Sequence, residues 1–142
     1  MPHATEIFAM TALFSPSTAK RIASLVTAIN VLVAAGFSIA GLVSPKSILP
    51  AGYAPTDASF VFAMYAAARS IPLALMVLFA IYKQSASALL ILGALAGFIQ
   101  LLDAGVGLLQ HDLGKAIGPL VVAVFQSFAV YLLSKSARSN AR

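Results

Sequence analysis

Apolar residues run along this chain in four long stretches, separated by shorter segments that contain most of the prolines and charged residues. The stretches cover residues 22 to 42, 59 to 82, 86 to 109 and 117 to 133. Each is long enough to cross the roughly 30 Å hydrocarbon core of a bilayer as an α-helix, which satisfies its own backbone hydrogen bonds in lipid. The pattern predicts an all-α integral membrane bundle of four transmembrane helices.

The connecting segments indicate how these helices are arranged. Residues 83 to 85 and 110 to 116 form short connections, so each joins two antiparallel neighbours. The segment 43 to 58 contains three prolines and one glycine, which exclude a regular helix or a central strand. Both a plain loop on the membrane surface and a lid over the bundle agree with its mixture of apolar and polar residues.

The segment before the first span has two interpretations. Residues 1 to 19 carry apolar side chains at roughly helical spacing, and both a short interfacial helix and an unordered terminus fit this pattern. Ser17 or Thr18 is expected to cap the first span. A signal peptide is the competing interpretation of that span, although its apolar region is longer than usual and begins about twenty residues into the chain.

Composition supports a membrane location for the whole chain. Of the 142 residues, 61% are apolar and 9% are charged, and the mean hydropathy is +0.96. A soluble domain has about a quarter of its residues charged. We therefore expect residues 1 to 142 to form a single transmembrane domain, without a separate soluble one.

The net charge of +5 comes from basic residues that flank the apolar spans, which argues against a nucleic-acid surface. Four spans place both termini on one side of the membrane. If that side is the cytoplasm, the basic residues next to the spans divide six inside to two outside, which favours this orientation. The six are Lys20, Arg21, Lys83, Lys135, Arg138 and Arg142, and the two are Lys46 and Lys115. A bacterial inner membrane is the expected location.

The residues available for chemistry are few. The chain has no cysteine, which excludes disulfides and thiolate sites, and its only histidines, His3 and His111, lie outside the spans. No pair of intramembrane imidazoles can therefore hold haem. The sequence predicts no cofactor and no metal site.

Two charged residues interrupt the apolar spans. Arg69 lies in the second span and Asp103 in the third, at equal distances from residue 86 beside the turn, so we expect them to be level and able to form an ion pair. Tyr65 precedes Arg69 by one helical turn and shares its face. Pro72 cannot donate a backbone hydrogen bond, which predicts a kink beside the arginine.

Three amide side chains also lie inside the spans. Gln100 and Gln126 are equidistant from residue 113 in the last turn, and Asn30 lies near the middle of the first span. We expect one cluster inside the bundle that opens outward, made of Asn30, Tyr65, Arg69, Gln100, Asp103 and Gln126. In this interpretation Asp103, Arg69 and Tyr65 are the catalytic candidates, and the three amides bind the ligand.

Small residues follow the same face of the third span. Gly93 and Gly97 are four residues apart, and Gln100, Asp103 and residues near them fall on or near their face. Such a pattern is typical of close helix packing, either between two copies of the chain or within one. A homo-oligomer through Gly93 and Gly97 is therefore one expectation.

The stretches YAAARSIPLALMVLFAIYK and GFIQLLDAGVGLLQHDLGKAIGP resemble the small DoxX-like membrane proteins of bacteria. The features that this chain has in common with them are small residues followed by an arginine in the second helix, and an aspartate late in the third. The resemblance covers about residues 22 to 133 and implies a four-helix membrane bundle. Some DoxX-type proteins are linked to quinone-dependent oxidation, but this chain has neither a cysteine nor an intramembrane histidine to support a redox role.

The charges inside the spans suggest a function, because a charged residue at the bilayer centre costs about 2.5 to 3.5 kcal/mol on insertion scales. The leading hypothesis is a protein that binds a lipophilic small molecule at the Arg69 and Asp103 site. Asp103 is the only carboxylate within a span, so it is the candidate acid or base for an isomerisation, hydration or ring opening. The alternatives are a non-catalytic membrane subunit or assembly module, and a small proton-coupled transporter. Whether the chain is an enzyme is left open by the sequence.

Overall fold

The computed structural model describes residues 15–50 and 52–139. Within these ranges it contains four α-helices and no strand: α1 Pro16–Val43, α2 Asp57–Tyr82, α3 Ala86–Leu109 and α4 Leu113–Ser139. A 3-10 helix, Pro45–Ser47, follows α1. Each of the four helices is long and apolar enough to cross a membrane, which confirms the all-α prediction and the number of candidate spans. Most of the predicted interfacial segment, residues 1 to 14, lies outside the described residues.

Helix α1 begins earlier than the apolar pattern indicates. The hydroxyl of Ser15 accepts a hydrogen bond from the backbone N–H of Thr18 at 3.2 Å, and Pro16 occupies the first helical position. Proline suits that position because its missing N–H would have no intrahelical partner there. The cap is therefore Ser15, and the prediction of Ser17 or Thr18 was wrong because those residues lie within the first turn.

The two short turns share one backbone geometry. Gln84 after α2 and His111 after α3 both have left-handed backbones, with φ of 55° and 54°. In each turn the next residue closes the helix end: the N–H of Ser85 donates to the carbonyl of Ala80, and that of Asp112 to the carbonyl of Gly107, both at 3.0 Å. These bonds satisfy carbonyls that the ends of the helices would otherwise leave unpaired.

The four helices pack around a core of small side chains. Helix α1 packs mainly against α2 and α4, and α3 packs mainly against α4. Helices α1 and α3 also touch across the bundle, so α2 and α4 lie at opposite corners. The buried positions are largely alanine and glycine, while most large apolar side chains point outward. This distribution suits a bundle in lipid, where close approach of backbones drives association and large side chains can face acyl chains.

Contacts of two lysines tie the connections to the helix ends. At one end, Lys20 Nζ of α1 donates to the carbonyl of Gln84 in the α2–α3 turn at 2.5 Å. At the other, Lys115 Nζ donates to the carbonyl of Ile48 at 3.0 Å. The first end, which also carries Lys83, Lys135 and Arg138, is called the basic end below. The second is the loop end.

Candidate functional site

Four polar side chains meet in the centre of the bundle and form an amide cluster: Thr27 and Asn30 from α1, Gln100 from α3 and Gln126 from α4. All four are buried. Gln100 Nε2 donates to Asn30 Oδ1 at 2.6 Å, Asn30 Nδ2 donates to Gln126 Oε1 at 3.2 Å, and Gln126 Nε2 donates to Thr27 Oγ1 at 2.9 Å. The cluster thus links three helices by one continuous chain of hydrogen bonds.

Glycines make room for this cluster. A Cβ on Gly93 would lie 2.9 Å from Gln126 Nε2 and 3.3 Å from Thr27 Oγ1, and a Cβ on Gly97 would lie 3.1 Å from Gln126 Cγ. Both distances to Gln126 are shorter than ordinary van der Waals contact. The two glycines therefore let α4 bring its fully buried glutamine into hydrogen-bonding range of α1.

The polar groups of the amide cluster bond to one another. In the described part of the chain, every buried side-chain nitrogen and oxygen has at least one hydrogen-bond partner. Interhelical hydrogen bonds of this kind contribute about 0.6 to 2 kcal/mol each in membrane bundles, while an unpaired buried group would be costly. The arrangement is what a structural link between helices requires.

The other three predicted site residues lie elsewhere. Tyr65, Arg69 and Asp103 are exposed on the outside of the bundle, so the expectation of one inward cluster of six residues was wrong. Rotation around the helix does not explain the exposure of Asp103, because Ala96, seven residues earlier and about 20° away around α3, is buried. Asp103 instead lies in the last two turns of α3 before the loop end, beside α2, which packs against α3 less closely than α4 does.

Arg69 and Asp103 share one surface, which we call the charged flank. It consists of Phe62, Tyr65 and Arg69 on α2 and Asp103 and Val106 on α3, all exposed. The charge of Arg69 acts on the carboxylate of Asp103, so the two residues lie on the same side of the molecule.

The two charges do not form the expected ion pair. Among the described residues, one ion pair lies within 4.0 Å: Lys115 Nζ is 3.6 Å from Asp112 Oδ2. Instead, Arg69 Nε donates to the carbonyl of Tyr65 in its own helix at 3.2 Å. Both charged groups therefore remain available on the surface of a single chain.

Three hydroxyl groups that the sequence did not single out also lie between helices. Thr27 ends the amide chain, and Ser70 Oγ of α2 lies 2.7 Å from Ser38 Oγ of α1. Serine and threonine often bond the carbonyl one turn earlier in their own helix, as Ser38 does to Ala34, so their type alone does not reveal an interhelical role. For Thr27, one feature of the sequence could have indicated this role: it precedes Asn30 by three residues, which places both on one face of the helix.

Gly93 and Gly97 are buried in the contact between α3 and α4 of one chain. The structure therefore gives these glycines a packing role within the chain, which was one of the two expectations for the motif. The homo-oligomer through these glycines stays a prediction.

Comparison with known proteins gives no further identification: no protein-family model, curated protein or solved structure matches this chain. The resemblance to DoxX-like proteins stays a prediction.

Proposed function

We propose that this chain is a membrane assembly module whose charged flank binds the same flank of a second copy. The supporting observation is the exposure of Arg69 and Asp103 in the middle and outer parts of two transmembrane-length helices, without an ion pair between them. Charged side chains at such depth normally face a partner or a water-filled cavity. In contrast, every buried side-chain nitrogen and oxygen of the described residues already has at least one hydrogen-bond partner within the bundle.

A second copy fits because the flank carries one positive and one negative charge. A two-fold axis along the membrane normal brings α2 of one copy against α3 of the other. Arg69 of each copy then faces Asp103 of its partner, and two reciprocal ion pairs form. Phe62, Tyr65 and Val106 supply apolar and aromatic surface around the pairs.

The orientation proposed for this module places both termini in the cytoplasm of a bacterial inner membrane. The excess of lysine and arginine at the basic end supports this orientation, since positively charged segments are retained on the cytoplasmic side. The charged flank then lies toward the external half of the bilayer. Membership of the DoxX-like group is part of the same proposal and rests on the short arginine and aspartate segments alone.

A second candidate function is binding of a lipophilic small molecule at the charged flank. The observation that favours it is that a guanidinium, a carboxylate and a phenol all lie on a surface that a molecule dissolved in the bilayer can reach. Arg69 would bind an anionic or carbonyl oxygen, and Asp103 would serve as the acid or base if a reaction follows. In this case association of two copies is not required.

Single-cysteine cross-linking tests the assembly proposal, because the chain contains no cysteine of its own. Phe62→Cys places a thiol on the α2 side of the charged flank, Val106→Cys places one on its α3 side, and Val124→Cys places a control thiol on the exposed back of α4. Because α2 of one copy faces α3 of the other, we expect oxidation in vesicles of low protein density to link Phe62→Cys chains to Val106→Cys chains, but not to Val124→Cys chains. Adding Arg69→Gln to both flank variants should abolish most of the cross-link. Equal cross-linking of Phe62→Cys to Val106→Cys and to Val124→Cys would contradict the proposal.

A further inference from the structure

A second feature of the surface, independent of the charged flank, lies at the basic end. A cleft of about 760 Å³ opens between the first turns of α1 and the end of α2. Its polar rim includes Ser17, Lys20, Arg21 and Ser24 on α1, and Gln84 of the α2–α3 turn also lines the cleft. This rim thus joins two cationic side chains to two hydroxyl groups within eight residues, a combination suited to the oxygens of a phosphate group.

The deeper part of the cleft is apolar. Leu25 and Ala28 of α1 face Leu78 and Ile81 of α2 there. Along α1, Leu25 and Ala28 follow Arg21 by four and seven residues, which places them about 6 and 10 Å further toward the middle of the helix. A ligand that fills the cleft must therefore combine an anionic head at the rim with a hydrocarbon part that runs into the bilayer.

The charges around the cleft favour an anion. The described residues include three carboxylates, and none is near the basic end: Asp57 begins α2, Asp103 lies late in α3, and Asp112 is in the α3–α4 turn. Lys20 uses one of its three N–H groups on the carbonyl of Gln84, which fixes its ammonium at the cleft and leaves two donors. Arg21 is exposed, and its guanidinium can pair with two phosphate oxygens.

We infer that this cleft binds a phosphate-bearing anionic lipid, with the phosphate at Lys20 and Arg21 and an acyl chain along Leu25 and Leu78. Charge alone would attract any anionic surface. The apolar floor beneath the cationic rim is what selects a lipid over free phosphate. Bound there, the lipid joins α1 to the α2–α3 turn, so it should stabilise the bundle.

Thermal unfolding of the purified full chain in a neutral detergent tests this inference. The probes are phosphatidylglycerol, phosphatidylcholine and glycerol 1-phosphate. We expect phosphatidylglycerol to raise the unfolding temperature in a saturable way and the other two to have little effect. Arg21→Gln should weaken the apparent affinity for phosphatidylglycerol about fivefold, since one basic residue near an anionic membrane surface contributes about that factor.

Arg138→Gln is the matched control, because it removes one positive charge from the same end but lies on α4, outside the cleft. It should leave the phosphatidylglycerol effect unchanged. Equal stabilisation by phosphatidylcholine would overturn the proposed site. An equal loss of apparent affinity for phosphatidylglycerol in Arg21→Gln and Arg138→Gln would also overturn it. Stabilisation by glycerol 1-phosphate as strong as that by phosphatidylglycerol would overturn the assignment to a lipid.

Discussion

Asn30 of α1 and Gln126 of α4 share a buried hydrogen bond of 3.2 Å although 96 residues separate them in the sequence. The bond is one step in a chain that runs from Gln100 through Asn30 and Gln126 to Thr27. Gln126 both donates and accepts in this chain, and its side chain is completely buried. It is therefore the residue on which the linkage between α1 and α4 most depends.

Replacement of Gln126 by leucine should destabilise the bundle. The change keeps a similar volume but removes the acceptor for Asn30 and the donor to Thr27, and each polar group left unpaired costs about 1 to 3 kcal/mol. A clear fall in the unfolding temperature in detergent is expected. Gln110→Leu, at an exposed position after α3, is the control and should unfold near the wild-type temperature. Equal stability of the two variants would mean that the cluster is not a structural link.

The contact between α3 and α4 near their turn should be sensitive to a single methyl group. A Cβ on Gly107 would lie 2.6 Å from the backbone nitrogen of Ala116 and the backbone carbon of Lys115. Because backbone atoms cannot rotate away, Gly107→Ala must separate the helices, and overpacking of this kind costs about 1 to 3 kcal/mol or more.

Gly105→Ala provides the comparison on the same helix, since nothing lies within 4 Å of a Cβ at that position. Alanine favours the helix by about 0.5 to 1 kcal/mol over glycine, so this variant should be as stable as the wild type or slightly more stable. Unfolding temperatures of the two variants give the test. A Gly107→Ala protein that matched Gly105→Ala would show that the close approach is not maintained in the membrane protein.

Much of the fold follows from the sequence because apolar length is a strong signal in a membrane. The predicted second and third spans begin and end within two residues of α2 and α3. Helices α1 and α4 extend further than predicted, because Ser15 and Pro16 start α1 early and α4 continues through a basic segment that includes Lys135 and Arg138. The length of an apolar stretch indicates the part of a helix that can cross the bilayer. It does not indicate helical turns that continue outside the bilayer.

The candidate site was less predictable because depth along a helix does not determine its rotation. The spacing of Gln100, Gln126 and Asn30 pointed to one level, and these amides do meet. Tyr65 and Arg69 share a face with each other, but the sequence does not show which face of α2 turns toward the core. That choice depends on the small buried residues, such as Ala67 and Ala74, which the polar pattern does not reveal.

The charges of the flank should contribute little to the stability of a single chain. Arg69 and Asp103 form no ion pair within 4.0 Å in the described structure, so Arg69→Gln and Asp103→Asn should each leave the unfolding temperature of monomeric protein in detergent unchanged or raise it. In a double-mutant cycle the coupling energy should be below about 0.5 kcal/mol. A large fall in the unfolding temperature of each single variant, with recovery in the double variant, would instead show that the two charges form a structural ion pair within one chain.

Orientation in the membrane can be measured by labelling two introduced cysteines. Gln110→Cys lies at the loop end and Ala137→Cys at the basic end, and both positions are exposed. In intact cells, a membrane-impermeant maleimide should label Gln110→Cys directly and Ala137→Cys only after permeabilisation, because the basic end is expected in the cytoplasm. The reverse pattern would place the termini outside.

The most direct test of the assembly proposal uses two oppositely charged variants of the flank. Arg69→Asp leaves two acidic residues on the flank, and Asp103→Arg leaves two basic residues. If each Arg69 faces Asp103 of its partner, neither variant should associate with itself, because like charges then meet. A mixture of the two should associate, since both contacts become pairs of opposite charge.

Energy transfer between labelled copies in vesicles of low protein density measures this association. We predict transfer for the wild type and for the mixture of Arg69→Asp with Asp103→Arg, and only background transfer for either variant alone. Association of each variant with itself at the wild-type level, or a mixture that stays at background while the wild type associates, would contradict reciprocal pairing of Arg69 with Asp103.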